Sequence, residues 1–201
     1  MVKAKKLWVD SFEICDRLDD PGVPMDADWH RTDTTVDQAC IEDALETMKP
    51  GKQKRILHVG VGNSRLAQRF APRVRLIDGL TVSEEEVAFA VTLSLPNYTV
   101  YRANKYSRDV LGLLENSYDY IVDNNLGSYA CCQFHYYRMF DTYWSVLRPG
   151  GRLLTDQQGM DWVAGDDYRW IQSYEDLVAV GTAFGLQVSR VTDTVYELRR
   201  S

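Results

Sequence analysis

Two glycines one residue apart, Gly60 and Gly62, close the run Ile56-Leu57-His58-Val59-Gly60-Val61-Gly62-Asn63-Ser64, and a helical pattern (Leu66, Ala67, Phe70) starts at once. A buried strand, a tight turn and a helix opening in that order make the nucleotide-binding corner of an α/β sheet. A side chain at either glycine would keep a ligand off the backbone, and the free N–H groups of the next helix face that ligand's polar end. One helix later, Val74-Arg75-Leu76-Ile77-Asp78 reads as a second strand ending in an acid suited to grip a ribose diol. Two residues are candidate proton acceptors. Asp123 stands at the mouth of a strand over residues 118–122, and His135 lies just beyond it, where a helix-surface histidine is the plainer expectation.

The elements that must position these residues alternate with little waste. Strands are expected over residues 56–60, 74–78, 98–102, 118–122 and 152–155, with helices over 63–70, 83–95, 107–115, 134–147 and 174–184 between and after them. Ser83 reads as the N-cap of the second helix, and Glu84, Glu85 and Glu86 complement its dipole. The close differs, because strands over 186–191 and 195–198 are separated by only Thr192-Asp193-Thr194. So short a connection forces an antiparallel hairpin. The fold class is therefore α/β: a doubly wound, Rossmann-like, seven-stranded sheet, mostly parallel, ending in that hairpin. Residues 1–33 form an N-terminal arm or lid and residues 34–201 a single domain.

Composition bounds the partners. A chain of 201 residues can bury one full core. A net charge of −6 offers no basic stripe for phosphate backbones, so no nucleic-acid partner is expected. No apolar run approaches the roughly 20 residues that span a bilayer. Asp10 follows Leu7-Trp8-Val9 too soon for a signal peptide. Cys15, Cys40, Cys131 and Cys132 lack paired metal spacing, and reduced thiols in a cytoplasmic protein are the default.

From residue 34 to about residue 200 the chain resembles the class I S-adenosylmethionine-dependent methyltransferases. The motifs that carry the resemblance are ILHVGVGNS, VRLID, YTVYRAN, YDYIVDNN and VLRPGGRLLTD, in that order, followed by the final hairpin. It departs from the pattern where His58 and Asn104 replace acids and Ser64 replaces a third glycine. The resemblance implies S-adenosyl-L-methionine as cofactor. Gly60, Gly62 and Asn63 would border its methionine portion, and Asp78 its ribose. Leu80 would lie against adenine, Asn104 and Lys105 at the adenine edge, and Asn124 near the sulfonium. Asp123, Asp156 and Gln157 are similar to the acid, acid and amide set of the catechol-type, magnesium-dependent members. Strand-end acids more commonly cap loops, so no metal is assigned.

The implied activity is methyl transfer to oxygen or nitrogen of a small molecule, with Asp123 and His135 as candidate catalytic residues. Aromatic walls suited to a planar or cationic acceptor would come from Trp29, Tyr129, Phe134, Tyr136, Tyr137, Trp162, Tyr168 and Trp170. Two other functions share the motifs: an S-adenosyl-fold enzyme that transfers aminopropyl or cyclises its substrate, and a catalytically silent cofactor-binding subunit.

Overall fold

The computed structural model of the protein describes residues 14–17, 20–22, 29–114, 117–164 and 166–201. Its centre is a seven-stranded sheet of order β3-β2-β1-β4-β5-β7-β6. The strands are β1 (Arg55–Val59), β2 (Leu76–Thr81), β3 (Tyr98–Arg102), β4 (Tyr118–Asp123), β5 (Leu147–Asp156), β6 (Leu186–Arg190) and β7 (Val195–Arg200). The first five run parallel, and β7 is antiparallel to both β5 and β6. This is the doubly wound sheet with a terminal hairpin that the sequence implies.

Alternation along each central strand divides the core between the two faces of the sheet. Ile56, Val122 and Leu154 pack with Ile41 and Leu45 of α1 (Val36–Thr47) and with Leu66 and Phe70 of α2 (Arg65–Phe70). Leu57, Ile121 and Leu153 pack on the other side with Tyr136, Phe140 and Tyr143 of α5 (Gln133–Val146) and Leu177 of α7 (Tyr174–Ala183). The remaining α-helices are α3 (Glu84–Thr92), α4 (Val110–Leu113) and α6 (Gln157–Met160), with short 3-10 turns at Trp29–Arg31, Ala71–Arg73 and Tyr168–Trp170. No helix among the described residues is long and apolar enough to cross a membrane.

The second strand departs from expectation in a way that matters. Asp78-Gly79 has the composition of a turn, yet β2 continues through both to Thr81. Gly79 is needed inside the strand because a Cβ there would stand 2.6 Å from Val61 Cγ1 and 2.9 Å from Val100 Cγ2. Asp78 is tolerated because the Tyr118 hydroxyl donates to its carboxylate. The strand end is fixed instead by Ser83, whose Oγ accepts from the Glu86 amide at 3.1 Å and opens α3.

Candidate active site

A cavity of about 300 Å³ opens where β1, β2, β3 and β4 end. Its floor is the glycine turn. Gly60 and Gly62 hold φ of 73° and 48°, the left-handed region in which a side chain is strained. Nothing lies within 4 Å of where a Cβ on Gly60 would stand, so the turn faces open space. The Gly60 amide donates to the Leu80 carbonyl at 2.8 Å, tying the turn to β2.

The turn is braced by a carboxylate. Glu86 Oε2 accepts from the Gly62 amide at 3.1 Å and from Thr81 Oγ1 at 2.6 Å, and both Glu86 and Thr81 line the cavity. The acid at the cavity end of β2 is therefore Glu86, delivered from the first turn of α3. Asp78 corrects the sequence assignment: it pairs with Leu57 inside the sheet, is buried against Tyr118, and does not line the cavity. The signal for Glu86 was present. A Ser83 cap ends the strand two residues earlier, at Thr81, which puts Glu86 of the following helix turn beside the cavity.

His58 lines the cavity from the middle of β1, fully buried, and neither of its ring nitrogens has a hydrogen-bond partner among the described residues. Burial pulls its pKa from 6.5 to about 4, so the imidazole is neutral at physiological pH. A buried polar group without a partner costs on the order of 1–3 kcal/mol, a cost that a ligand donor in the cavity would offset. Glu42 of α1 also lines the cavity and is buried. Burial raises its pKa, against the nearby guanidinium groups of Arg65 at 3.5 Å and Arg69 at 3.6 Å.

Leu80, Asn63, Asn104, Lys105 and Asn124 all line the same cavity, with Gly60 and Gly62. Asn63 Nδ2 donates to the Thr32 carbonyl at 2.9 Å and Thr34 Oγ1 at 3.1 Å, so it fastens the N-terminal segment to the glycine turn. Asn104 donates to the Gly22 carbonyl and accepts from the Tyr106 amide at 3.1 Å. Asn124 Nδ2 donates to Asp37 Oδ2 at 2.6 Å. Asp37 is a cavity carboxylate that sequence reasoning missed, because it comes from α1, far from any strand end.

The two candidate bases, Asp123 and His135, are placed outside the cavity. Asp123 is buried and does not line it. Its oxygens accept from Lys105 Nζ at 2.9 and 3.1 Å and from the Tyr143 hydroxyl at 2.7 Å. Lys105 in turn has its ammonium directed inward, to Asp123 and to the Asn125 carbonyl at 2.8 Å, instead of toward a ligand. His135 is buried near the start of α5, facing three cysteine sulfurs outside the cavity. Asp156 caps α6 through the Gln158 amide at 2.8 Å, the loop-capping role.

Of the eight aromatics expected to form the acceptor wall, Trp29, Tyr129 and Trp162 line the cavity. Tyr129 and Trp162 meet edge-on, with ring centroids 5.7 Å apart. Tyr136 and Trp170 are core residues, and Tyr168 is exposed. Residues 1–13, 18–19 and 23–28 of the expected lid lie outside the described residues, whereas Trp29, Thr32 and Asp33 line the cavity.

The chain matches no protein-family model and no curated protein. Solved structures do match. The N-methyltransferase NodS from Bradyrhizobium japonicum, in complex with S-adenosyl-L-homocysteine, aligns at 15% identity over 85% of this chain and 90% of that one, with a TM-score of 0.61. A SAM-dependent methyltransferase from Aquifex aeolicus aligns at 17% identity over 79% of this chain and 87% of that one, with a TM-score of 0.58. The [4+2]-cyclase SpnF aligns at 23% identity over 80% of this chain and 62% of that one, with a TM-score of 0.57. The fold is that of the class I S-adenosylmethionine-dependent methyltransferases.

Two outcomes follow from the geometry. Lys105→Met strands Asp123 as a buried charge and should cost roughly 3–5 kcal/mol in urea unfolding, while Lys105→Met with Asp123→Leu should recover much of the loss. A double variant no more stable than the single one would refute the pairing. For His58, the unfolded chain takes up a proton below pH 6.5 that the folded chain refuses until about pH 4. Stability present above pH 6.5 is thus lost as pH falls through that window, by roughly 3 kcal/mol at about 1.36 kcal/mol per unit. The unfolding midpoint of the wild type should therefore fall more steeply from pH 6.5 to 4.5 than that of His58→Gln. Parallel profiles would show that His58 is not held neutral.

Proposed function

We propose that the chain binds S-adenosylmethionine in this cavity and transfers its methyl group to a small-molecule acceptor. The observation that carries the proposal is the match between what the cavity lacks and what that cofactor has. The glycine turn faces open space, and beside it the neutral His58 ring holds nitrogens that have no hydrogen-bond partner among the described residues. One of those nitrogens can accept a hydrogen bond from an ammonium group. Glu86 would take the ribose hydroxyls with a carboxylate already braced by Gly62 and Thr81. Leu80 and Asn104 would flank the adenine.

The cofactor supplies a methyl group already activated on sulfonium, so alignment is the main demand on the protein. Trp29, Tyr129 and Trp162 provide a stacking wall for the acceptor and exclude water from it. Asp37, held by Asn124, is the carboxylate able to take a proton from an acceptor hydroxyl or amine. The modest cavity favours a metabolite over a macromolecule. A second reading, cyclisation of a bound substrate without loss of methyl, is favoured by the likeness to SpnF and by Asp123 and His135 both lying outside the cavity.

Calorimetry with S-adenosylmethionine and its demethylated product should give saturable binding, and no heat at millimolar ligand would overturn the proposal. Glu86→Gln should weaken binding on the order of tenfold or more by loss of charge-assisted hydrogen bonds. Asp78→Asn should instead lower the unfolding midpoint and leave affinity within about twofold, since Asp78 sits below the cavity. With co-purified or candidate acceptors, labelled methyl appearing in product supports transfer. Product formation with the cofactor intact would establish the cyclase reading.

A further inference from the structure

We propose that Cys15, Cys131, Cys132 and His135 form a structural zinc site that pins the N-terminal arm to the start of α5, outside the cavity. The four candidate ligand atoms, three Sγ and His135 Nδ1, all lie within 4.8 Å of one another. Cys131 and Cys132 each stand 3.2 Å from His135 Nδ1, Cys15 stands 3.4 Å from it, and Cys15 and Cys131 sulfurs are 3.8 Å apart. With Zn–S near 2.3 Å and Zn–N near 2.0–2.1 Å, a tetrahedral site has edges of about 3.6–3.8 Å. Four of the six spacings lie within about 0.4 Å of those edges, and the other two, from Cys132 Sγ to the sulfurs of Cys15 and Cys131, are within 4.8 Å.

Neither a disulfide nor a cluster of thiol hydrogen bonds produces this arrangement. A disulfide would join only two of the sulfurs, needs them near 2.05 Å, and leaves the convergence of all three on one ring nitrogen without a cause. A hydrogen-bonded cluster fares no better, since one Nδ1 carries one proton or one lone pair and cannot serve three thiols. Three thiolates and an imidazole select zinc by softness and geometry, and four protein ligands leave no open position, which marks a structural and not a catalytic ion. On binding, the three thiols release their protons to solvent and the imidazole coordinates as the neutral ring, so the site carries a net charge of −1.

The local fold presents the ligands. Cys132 is the N-cap of α5 with extended backbone, and His135 follows one helical turn later on the same face. Cys15 arrives from 116 residues before Cys131, which is why no paired spacing is visible in the sequence. Further along the same arm, Asp20 accepts from Ser107 Oγ at 2.6 Å and the Gly22 carbonyl accepts from Asn104. The pin therefore holds the arm against a residue of the cavity wall.

The full chain, purified without chelators or a histidine tag, should contain about one zinc per chain by inductively coupled plasma mass spectrometry. After exchange with cobalt it should show tetrahedral d–d absorption and a thiolate-to-cobalt charge-transfer band. Cys15→Ser, at a position on the arm and outside the packed core, should lower zinc affinity at least tenfold in competition with a chromogenic chelator. Cys40→Ser should leave it unchanged. Chelation of the wild type should expose the arm to limited proteolysis. A metal-free chain that takes up no zinc on dialysis overturns the proposal, as does a Cys15–Cys131 disulfide in the peptide map or zinc retained equally by Cys15→Ser.

Discussion

The ion pair between Lys105 and Asp123 is the constraint on which the ligand-binding edge of the sheet depends. Asp123 ends β4 and Lys105 follows β3, two strands that are not neighbours in the order β3-β2-β1-β4. The pair therefore spans β1 and β2, joining the two sides of the cavity. Tyr143 brings α5 to the same carboxylate, and the Asn125 carbonyl brings the loop after β4 to the same ammonium. Burial alone would pull the Lys105 ammonium toward neutrality, and Asp123 opposes this. A dry ion pair gives little net stability, since desolvation consumes most of its attraction, but misplacing either partner is expensive. Its effect is thus geometric: it ties the loop after β4, through the Asn125 carbonyl, to the residue that follows β3.

Above that fixed base, the cavity is built from groups whose bonding is incomplete or already directed. Glu86 stiffens the glycine turn by accepting from Gly62, and the same contact orients the carboxylate toward the cavity. His58 is the opposite case, a polar ring whose nitrogens have no hydrogen-bond partner among the described residues. An acid at that position would either carry a charge at a high desolvation cost or be driven by burial toward its neutral form, whereas a neutral imidazole faces neither demand. Replacing it with histidine keeps an acceptor while removing the charge. Histidine at this position is therefore compatible with accepting a hydrogen bond from a cationic ligand through one lone pair.

Much of this was legible in the sequence, and what was not has identifiable physical causes. Periodicity and the Gly60–Gly62 spacing carry local information, so the alternation of elements, the terminal hairpin and the cavity's place at the strand ends could be read directly. The strand boundary at Asp78 could not, because Asp-Gly has turn composition and only the tertiary partner Tyr118 makes a buried aspartate tolerable within β2. Asp123 was misjudged for the same reason. A strand-end acid is free or neutralised according to whether a lysine from another strand reaches it, and nothing near residue 123 announces Lys105. His135 shows the longest-range version, since its neighbours include Cys15 from the far end of the chain.

The arm is what turns an open sheet edge into an enclosed site. In this fold the strand ends offer a floor and two rims but no roof, and the substrate-facing side must come from segments outside the repeating units. Here Trp29, Thr32 and Asp33 close that side, and Asn63 of the glycine turn is hydrogen-bonded to Thr32 and Thr34. A ligand that orders the turn thereby orders the segment that covers it. The other end of the arm meets Asn104 and Ser107 on the opposite rim. The described residues of the arm thus reach both rims of the cavity, one through Thr32 and Thr34 at Asn63 and the other through Gly22 at Asn104, so the arm and the strand ends it joins are positioned together.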